Sequence, residues 1–114
     1  SQTKRRPALV LAALQGDDLI LCQITSQARE NRDSVQLDTA DFVTGGLSQS
    51  SRIRPSRLFT ADSGIVVYRA GQVSAAKLKE VRETLIRILG ESIWLPAFSK
   101  DGELVPPGIV FNVV

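Results

Sequence analysis

Residues 4–14 read KRRPALVLAAL, three cations running through a proline straight into an apolar stretch. Arg5 and Arg6 therefore stand at the mouth of a buried segment, where charge is costly unless it meets a partner or a ligand. A second basic group, Arg52, Arg54 and Arg57, lies in SSRIRPSRL. Arginines outnumber lysines, and the planar guanidinium suits two-pronged contact with phosphate oxygens. The plainer reading of both clusters is a pair of solvated loops.

The missing residue types narrow the chemistry further. The chain has no histidine, which removes the usual general base and the commonest metal ligand. One cysteine, Cys22, cannot by itself make a zinc site or an intrachain disulfide. Gly45-Gly46 lacks the Lys and Ser/Thr of a phosphate-binding loop. An enzyme of this composition works with Arg, Thr, Ser, Lys or carboxylates, and no metal or cofactor is expected.

Several elements must position these groups. Pro7 fixes its own φ and drives Arg6 toward an extended conformation, so residues 8–13 are expected to be a strand. Residues 15–18, QGDD, form a hairpin turn, and 19–25, LILCQIT, the returning strand. Its alternation puts Leu19, Leu21, Gln23 and Thr25 on one face and Ile20, Cys22 and Ile24 on the other. Residues 34–37 suggest a third short strand, and 38–49 an irregular stretch. SSRIRP, SRLFTAD and GIVVYRAGQV supply further short strands, turns or apolar pieces.

At residue 74 the period changes from two to three or four. Ser74 is a suitable N-cap, Gly90 stands at a C-cap position, and Leu78, Val81, Leu85 and Ile88 line one face with Leu89 beside them. This predicts a helix over 74–90 that covers a small barrel or curved sheet. Lys77, Lys79, Glu80, Arg82 and Glu83 are expected on its solvated side.

Length and composition set the outer bounds. A chain of 114 residues, 43% hydrophobic and 23% charged, is enough for one core without staples. The expectation is a single domain over 1–114, with the barrel and helix in 1–90 and a tail at 91–114. Net charge is only +2, so distribution rather than total marks any nucleic-acid surface. A lone cysteine fits a reducing, cytoplasmic setting.

The ordered set KRRPALVLA, CQITSQ, FVTGGLSQSSRIRPSRLFT and QVSAAKLKEVRETL resembles the MazF/PemK family of toxin endoribonucleases, over about residues 3–90. The resemblance implies an α+β fold, mostly β: an SH3-like small barrel of the MazF/PemK/CcdB type with a C-terminal packing helix. It also implies a homodimer, metal-free cleavage of single-stranded RNA (mRNA), and a cognate antitoxin protein as partner. Arg6 matches the family's catalytic arginine at the scissile phosphate, and Thr25 the threonine that hydrogen-bonds that phosphate. A guanidinium carries donors only, which favours charge stabilisation over proton abstraction as the role of Arg6. Lys4, Arg5, Ser26, Gln27 and Arg54 are the expected RNA contacts, with Arg52 beside them. Phe42 is a candidate stacking platform, while most other aromatics are expected in the core. The plainer readings are a rim arginine for Arg6 and a β-branched strand residue for Thr25.

Two departures from the family pattern accompany the resemblance. The family's usual opening strand and polar loop do not precede the RP motif, and a tail follows Gly90. Either SIWLPAF or GIVFNVV is expected to fill that barrel position, in the same chain or a partner's. A second reading on the same scaffold is a non-catalytic binding module, CcdB-like or an inactive relative.

Overall fold

The structure is a computed structural model, and it describes residues 5–27, 29–90 and 98–113. Six strands, two single-turn 3-10 helices and one α-helix follow in order: β1 (Ala8–Ala13), β2 (Asp18–Thr25), β3 (Val35–Leu37), β4 (Phe42–Gly45), β5 (Ser51–Asp62), β6 (Gly71–Val73) and α1 (Ala75–Gly90). The main sheet is antiparallel with order β1-β2-β5-β3 and curls into a half-barrel, while β4 and β6 pair separately. The mostly-β fold with one C-terminal helix is the one expected.

β5 is the organising strand. Its end, Leu58 to Asp62, pairs with Cys22 to Asp18, and its start, Arg52 to Arg54, pairs with Thr25 to Gln23. The register slips between Cys22 and Gln23, leaving Pro55, Ser56 and Arg57 outside the ladder. Proline cannot donate to a ladder, so a bulge is where a strand tolerates it, and here Pro55 is fully buried. The sequence-based division into SSRIRP and SRLFTAD is thus corrected to one strand of 12 residues, bent in the middle. The stretch expected to be irregular, 38–49, holds a 3-10 turn at Thr39–Asp41 and strand β4.

The core is built from one face of this sheet and one stripe of the helix. Leu11, Cys22, Ile24, Val35, Leu37, Ile53 and Val81 are buried together, with Leu78, Leu85, Phe42 and Val73 packed against them. Burying such side chains contributes about 1.5–3 kcal/mol each, which fixes the helix on β5 and β3. β2 departs from simple alternation: Leu21 and Cys22 are both buried, because β1 and β5 flank the middle of this inner strand. Leu89 lies within about 40° of Leu85 on the helix surface, yet it sits in the last turn of α1 and is exposed.

On the polar face of α1, Lys79, Glu80, Arg82 and Glu83 are exposed as expected, and Lys77 is less solvated. Ser74 Oγ caps the helix by accepting from Lys77 N at 3.1 Å. Lys77 itself turns inward, donating from Nζ to Gln36 O at 2.8 Å and to Glu80 Oε1 at 3.0 Å, with Asp41 Oδ1 at 3.6 Å. Arg82 Nη2 donates to Leu11 O at 2.8 Å, at the β-bulge of β1. Arg87 Nη2 holds the loop before β3 through Arg32 O (2.7 Å) and Asp33 Oδ1 (3.0 Å). These long side chains lie over the sheet rim because their backbone acceptors are there.

The tail also corrects an expectation. Residues 98–104 make a small turn around Asp101-Gly102, closed by Ser99 N donating to Glu103 O at 2.8 Å. Residues 109–113 contain no strand, so GIVFNVV does not extend the sheet of its own chain; its stretch after Gly108 lacks ladder bonds and exposes Val110 and Val113. SIWLPAF lies outside the described residues except for Phe98. Among the described residues, β1 has β2 as its one neighbour. No described helix is long and apolar enough to cross a membrane.

Two positions give direct tests of this packing. Gly45 has φ +63°, and a Cβ there would meet the carbonyl oxygen of Ala70 on the approach to β6. Gly45→Ala is therefore expected to lower stability by at least about 1–2 kcal/mol in urea denaturation. Burial pushes the Cys22 thiol from its ordinary 9.0 up to about 11. The unfolded chain then ionises first as pH rises, so stability falls between pH 9 and 11 and is unaffected by this group below 9. The loss approaches roughly 2–3 kcal/mol, and comparing pH-dependent melts of the parent and Cys22→Ala isolates it.

Candidate nucleic-acid interface

The face of the sheet opposite the helix carries the polar residues in rows. Ile24 N donates to Pro7 O at 3.2 Å, so the β1–β2 register continues one step beyond the strand and sets Arg6 across from Thr25. Thr25 pairs with Arg52 on β5, and Arg52 with Gln36 on β3. Directly opposed residues share a face, so one row crosses the sheet as Arg6, Thr25, Arg52 and Gln36. The adjacent row is Ala8, Gln23 and Arg54.

Each position differs in what it leaves available. Arg6 is exposed, and among the described residues no side chain neutralises it. Thr25 Oγ1 accepts from Gln27 N at 3.1 Å, which holds the hydroxyl in place and leaves its proton to donate outward. Arg52 is fully engaged by comparison: Nε donates to Ser34 Oγ (2.7 Å), Nη1 to Gln36 Oε1 (2.7 Å) and Nη2 to Ser34 O (3.2 Å). It acts as a clamp between β5 and β3. Arg54 Nη1 donates to Gln23 Oε1 at 3.2 Å, so part of its fork is already used.

Beside Arg6 an open groove of about 320 Å³ runs between β1 and the β5 bulge, lined by Arg6, Ala8, Gln23, Arg57, Leu58 and Phe59. The bulge explains Arg57. Three residues outside the ladder re-aim the chain, and Arg57 turns toward the groove rather than following the strand's alternation. The groove therefore joins two guanidinium groups, an oriented amide and an exposed aromatic ring. Among the described residues no group of three or more His, Cys, Asp or Glu is clustered as for a metal.

The sequence-based site residues fall into distinct places. Arg6 and Thr25 are opposed across the ladder, and Arg54 stands in the neighbouring row behind Gln23. Ser26 and Gln27 are exposed on the turn after β2. Arg5 is exposed but does not line the groove. Lys4 lies outside the described residues. Phe42 packs against the core, which corrects the stacking role suggested for it. Of the remaining aromatics, Phe59, Tyr68, Phe98 and Phe111 are exposed rather than buried, and Trp94 lies outside the described residues. Gln23 and Phe59 were not identified as site residues from sequence, and Arg57 only as a member of the second basic group, although a proline inside an otherwise strand-like run, IRPSRLF, is the signal of the bulge that positions Arg57 and Phe59.

A polar group at the far end of the sheet supports β3. The Asp38 carboxylate accepts from Ser50 Oγ at 2.6 Å and from Gln36 Nε2 at 3.0 Å. These bonds, Ser50 first, together with the Lys77 charge, hold its pKa below the ordinary carboxylate value.

Comparison with known proteins decides the family. The profile described as "PemK-like, MazF-like toxin of type II toxin-antitoxin system" matches residues 1–89. The chain belongs to this family. Among solved structures, the MazE-MazF complex from Deinococcus radiodurans is 26% identical to this PemK/MazF chain, with TM-score 0.61, covering 75% of this chain and 86% of that one. Mycobacterium tuberculosis toxin MazF-mt6 is 20% identical, with TM-score 0.62 and coverage of 74% and 85%. An endoribonuclease from a mycobacterial species is 15% identical, with TM-score 0.63 and coverage of 77% and 83%. These last two share the fold. No individually curated protein matched the sequence.

The Arg52 clamp yields a prediction. Arg52→Ala removes three hydrogen bonds and leaves Gln36 Oε1 and the Ser34 hydroxyl without this donor, which is expected to cost about 1–3 kcal/mol. Arg52→Lys should recover only part of that, because an ammonium cannot reproduce the fork. Thermal melts of the two variants measure the difference.

Proposed function

We propose that this PemK/MazF toxin is a metal-independent endoribonuclease acting on single-stranded RNA, with Arg6 and Thr25 as its catalytic residues. The observation that carries the reading is the opposition of Arg6 and Thr25 across the β1–β2 ladder, on the face away from the helix and beside a groove that no carboxylate lines among the described residues.

The chemistry is transesterification. The ribose 2′-oxygen attacks the adjacent phosphorus and loses its proton, the P–O5′ bond breaks, and the 5′-oxygen takes up a proton. The products are a 2′,3′-cyclic phosphate and a 5′-hydroxyl. Negative charge accumulates on the non-bridging oxygens, where the Arg6 fork and the Thr25 hydroxyl donate hydrogen bonds. Only RNA carries the attacking hydroxyl, so DNA of the same sequence is not a substrate. Arg5, Lys4, Ser26, Gln27 and Arg54 serve as flanking RNA contacts in this reading. Phosphate contacts fix register and make binding salt-dependent, and base contacts supply sequence choice.

Partners follow from relatives. Two solved neighbours are described as MazE-MazF and as an endoribonuclease with its cognate antitoxin. The proposal accordingly includes a cognate antitoxin that occludes this face, a homodimer of the toxin, a cytoplasmic location and a single functional domain.

Incubation of the chain with a long single-stranded RNA in excess EDTA tests the reading. Discrete fragments are expected from the parent, with Arg6→Ala and Thr25→Ala each slower by about 10²–10³ while remaining folded. A folded parent that leaves the RNA intact would sink the proposal and favour a binding role on the same scaffold.

A further inference from the structure

The groove beside Arg6 has a composition that phosphate binding alone does not require. Phe59 is 41% exposed there, next to Leu58, on the strand that carries Arg57. An exposed aromatic ring in a groove that two guanidinium groups also line suits a planar, polar-edged ring held beside phosphates.

The hydrogen-bonding character of the lining is equally one-sided. Arg6 and Arg57 have donors only. Gln23 has one acceptor, Oε1, and Arg54 Nη1 already donates to it at 3.2 Å. Flipping the amide would aim its own N–H at Arg54, so the amide is held in one sense and offers its Nε2 protons to whatever enters. Pro7 O is likewise taken, by Ile24 N. Among the described residues of the lining, a base that presents a carbonyl oxygen finds several donors, whereas a base that presents an amino group at the same edge must share the Gln23 Oε1 acceptor with Arg54.

We propose that this groove is a base-binding subsite that favours a keto base, uracil or guanine, over cytosine or adenine: Phe59 stacks on the nucleobase next to the scissile phosphate, Gln23 donates to its exocyclic oxygen, and Arg57 holds the following phosphate. Arg54 is a positioning residue, acting through the Gln23 amide. The inference rests on the RNA reading above and adds what that reading lacks, a source of sequence choice.

Equilibrium binding separates the two. Fluorescence anisotropy with labelled hexanucleotides of uridine, cytidine and adenosine is measured for the full chain carrying Thr25→Ala, which slows turnover, and then with each second substitution. Uridine oligomers are expected to bind about tenfold tighter than cytidine oligomers. Phe59→Ala should weaken all three by about tenfold, and Phe59→Tyr should restore them. Gln23→Ala should abolish the uridine preference, and Gln23→Glu, with acceptors only, should reverse it. Arg54→Ala, which also removes an RNA contact, should weaken uridine oligomers more than cytidine oligomers and so shrink the preference, a split that general loss of folding would not give. Equal affinity for uridine and cytidine, or unchanged binding in Phe59→Ala, overturns the inference even if the parent cuts RNA. The expected pattern with no cleavage by the parent leaves the subsite standing and removes the nuclease; absence of any binding removes both.

Discussion

The rest of the structure depends on one interruption: the three residues Pro55–Arg57 that leave the β2–β5 ladder. Without them β5 would be a straight strand with a single register along β2. With them, its start is offset by three residues from where its end would place it, and the sheet curls. The start is free to bind β3 and underlie the helix, while the end closes the hairpin side of the half-barrel. Burial of Pro55 makes the interruption a packed feature rather than a fluctuation.

The two halves of β5 then divide the labour of the sheet. The first half supplies Arg52, whose fork ties β5 to β3, and Arg54, which restrains Gln23. The second half supplies Leu58 and Phe59 to the groove. Similar guanidinium groups thus end in different states. Arg52 is consumed by structure, Arg54 partly so, and Arg57 is turned to a groove that already contains Arg6. Position relative to the bulge separates a clamping arginine from a groove-lining one, and residue type alone does not.

This explains which parts were legible in the sequence. β1, β2 and α1 are local patterns: a proline lead-in, a tight turn and a capped 3.6-residue period can each be read within a short window. The opposition of Arg6 and Thr25 was legible too, since it follows from one hairpin register. What could not be read was the continuity of β5, because a proline ordinarily argues against a strand. Gln23 and Phe59 were hidden for the same reason, since their places arise only when distant strands are paired, Gln23 with Arg54 at 31 positions apart and Phe59 with Leu21 farther still. The helix charges are mostly solvated, as their positions suggest, but the bonds of Lys77 and Arg82 to backbone carbonyls of β3 and β1 are contacts that periodicity cannot reveal.

The strand order has a consequence in time as well as space. β5 lies between β2 and β3, so β3 reaches the main sheet only through it. During synthesis the β1–β2 hairpin emerges first and can form locally, carrying both Arg6 and Thr25. It lacks Arg54 to restrain Gln23, Arg57 and Phe59 to wall the groove, and α1 to cover its apolar face. A ribosome that stops before residue 51 therefore releases the two residues of the pair without the surface that gives them shape. The polar face acquires its shape only when the central strand arrives.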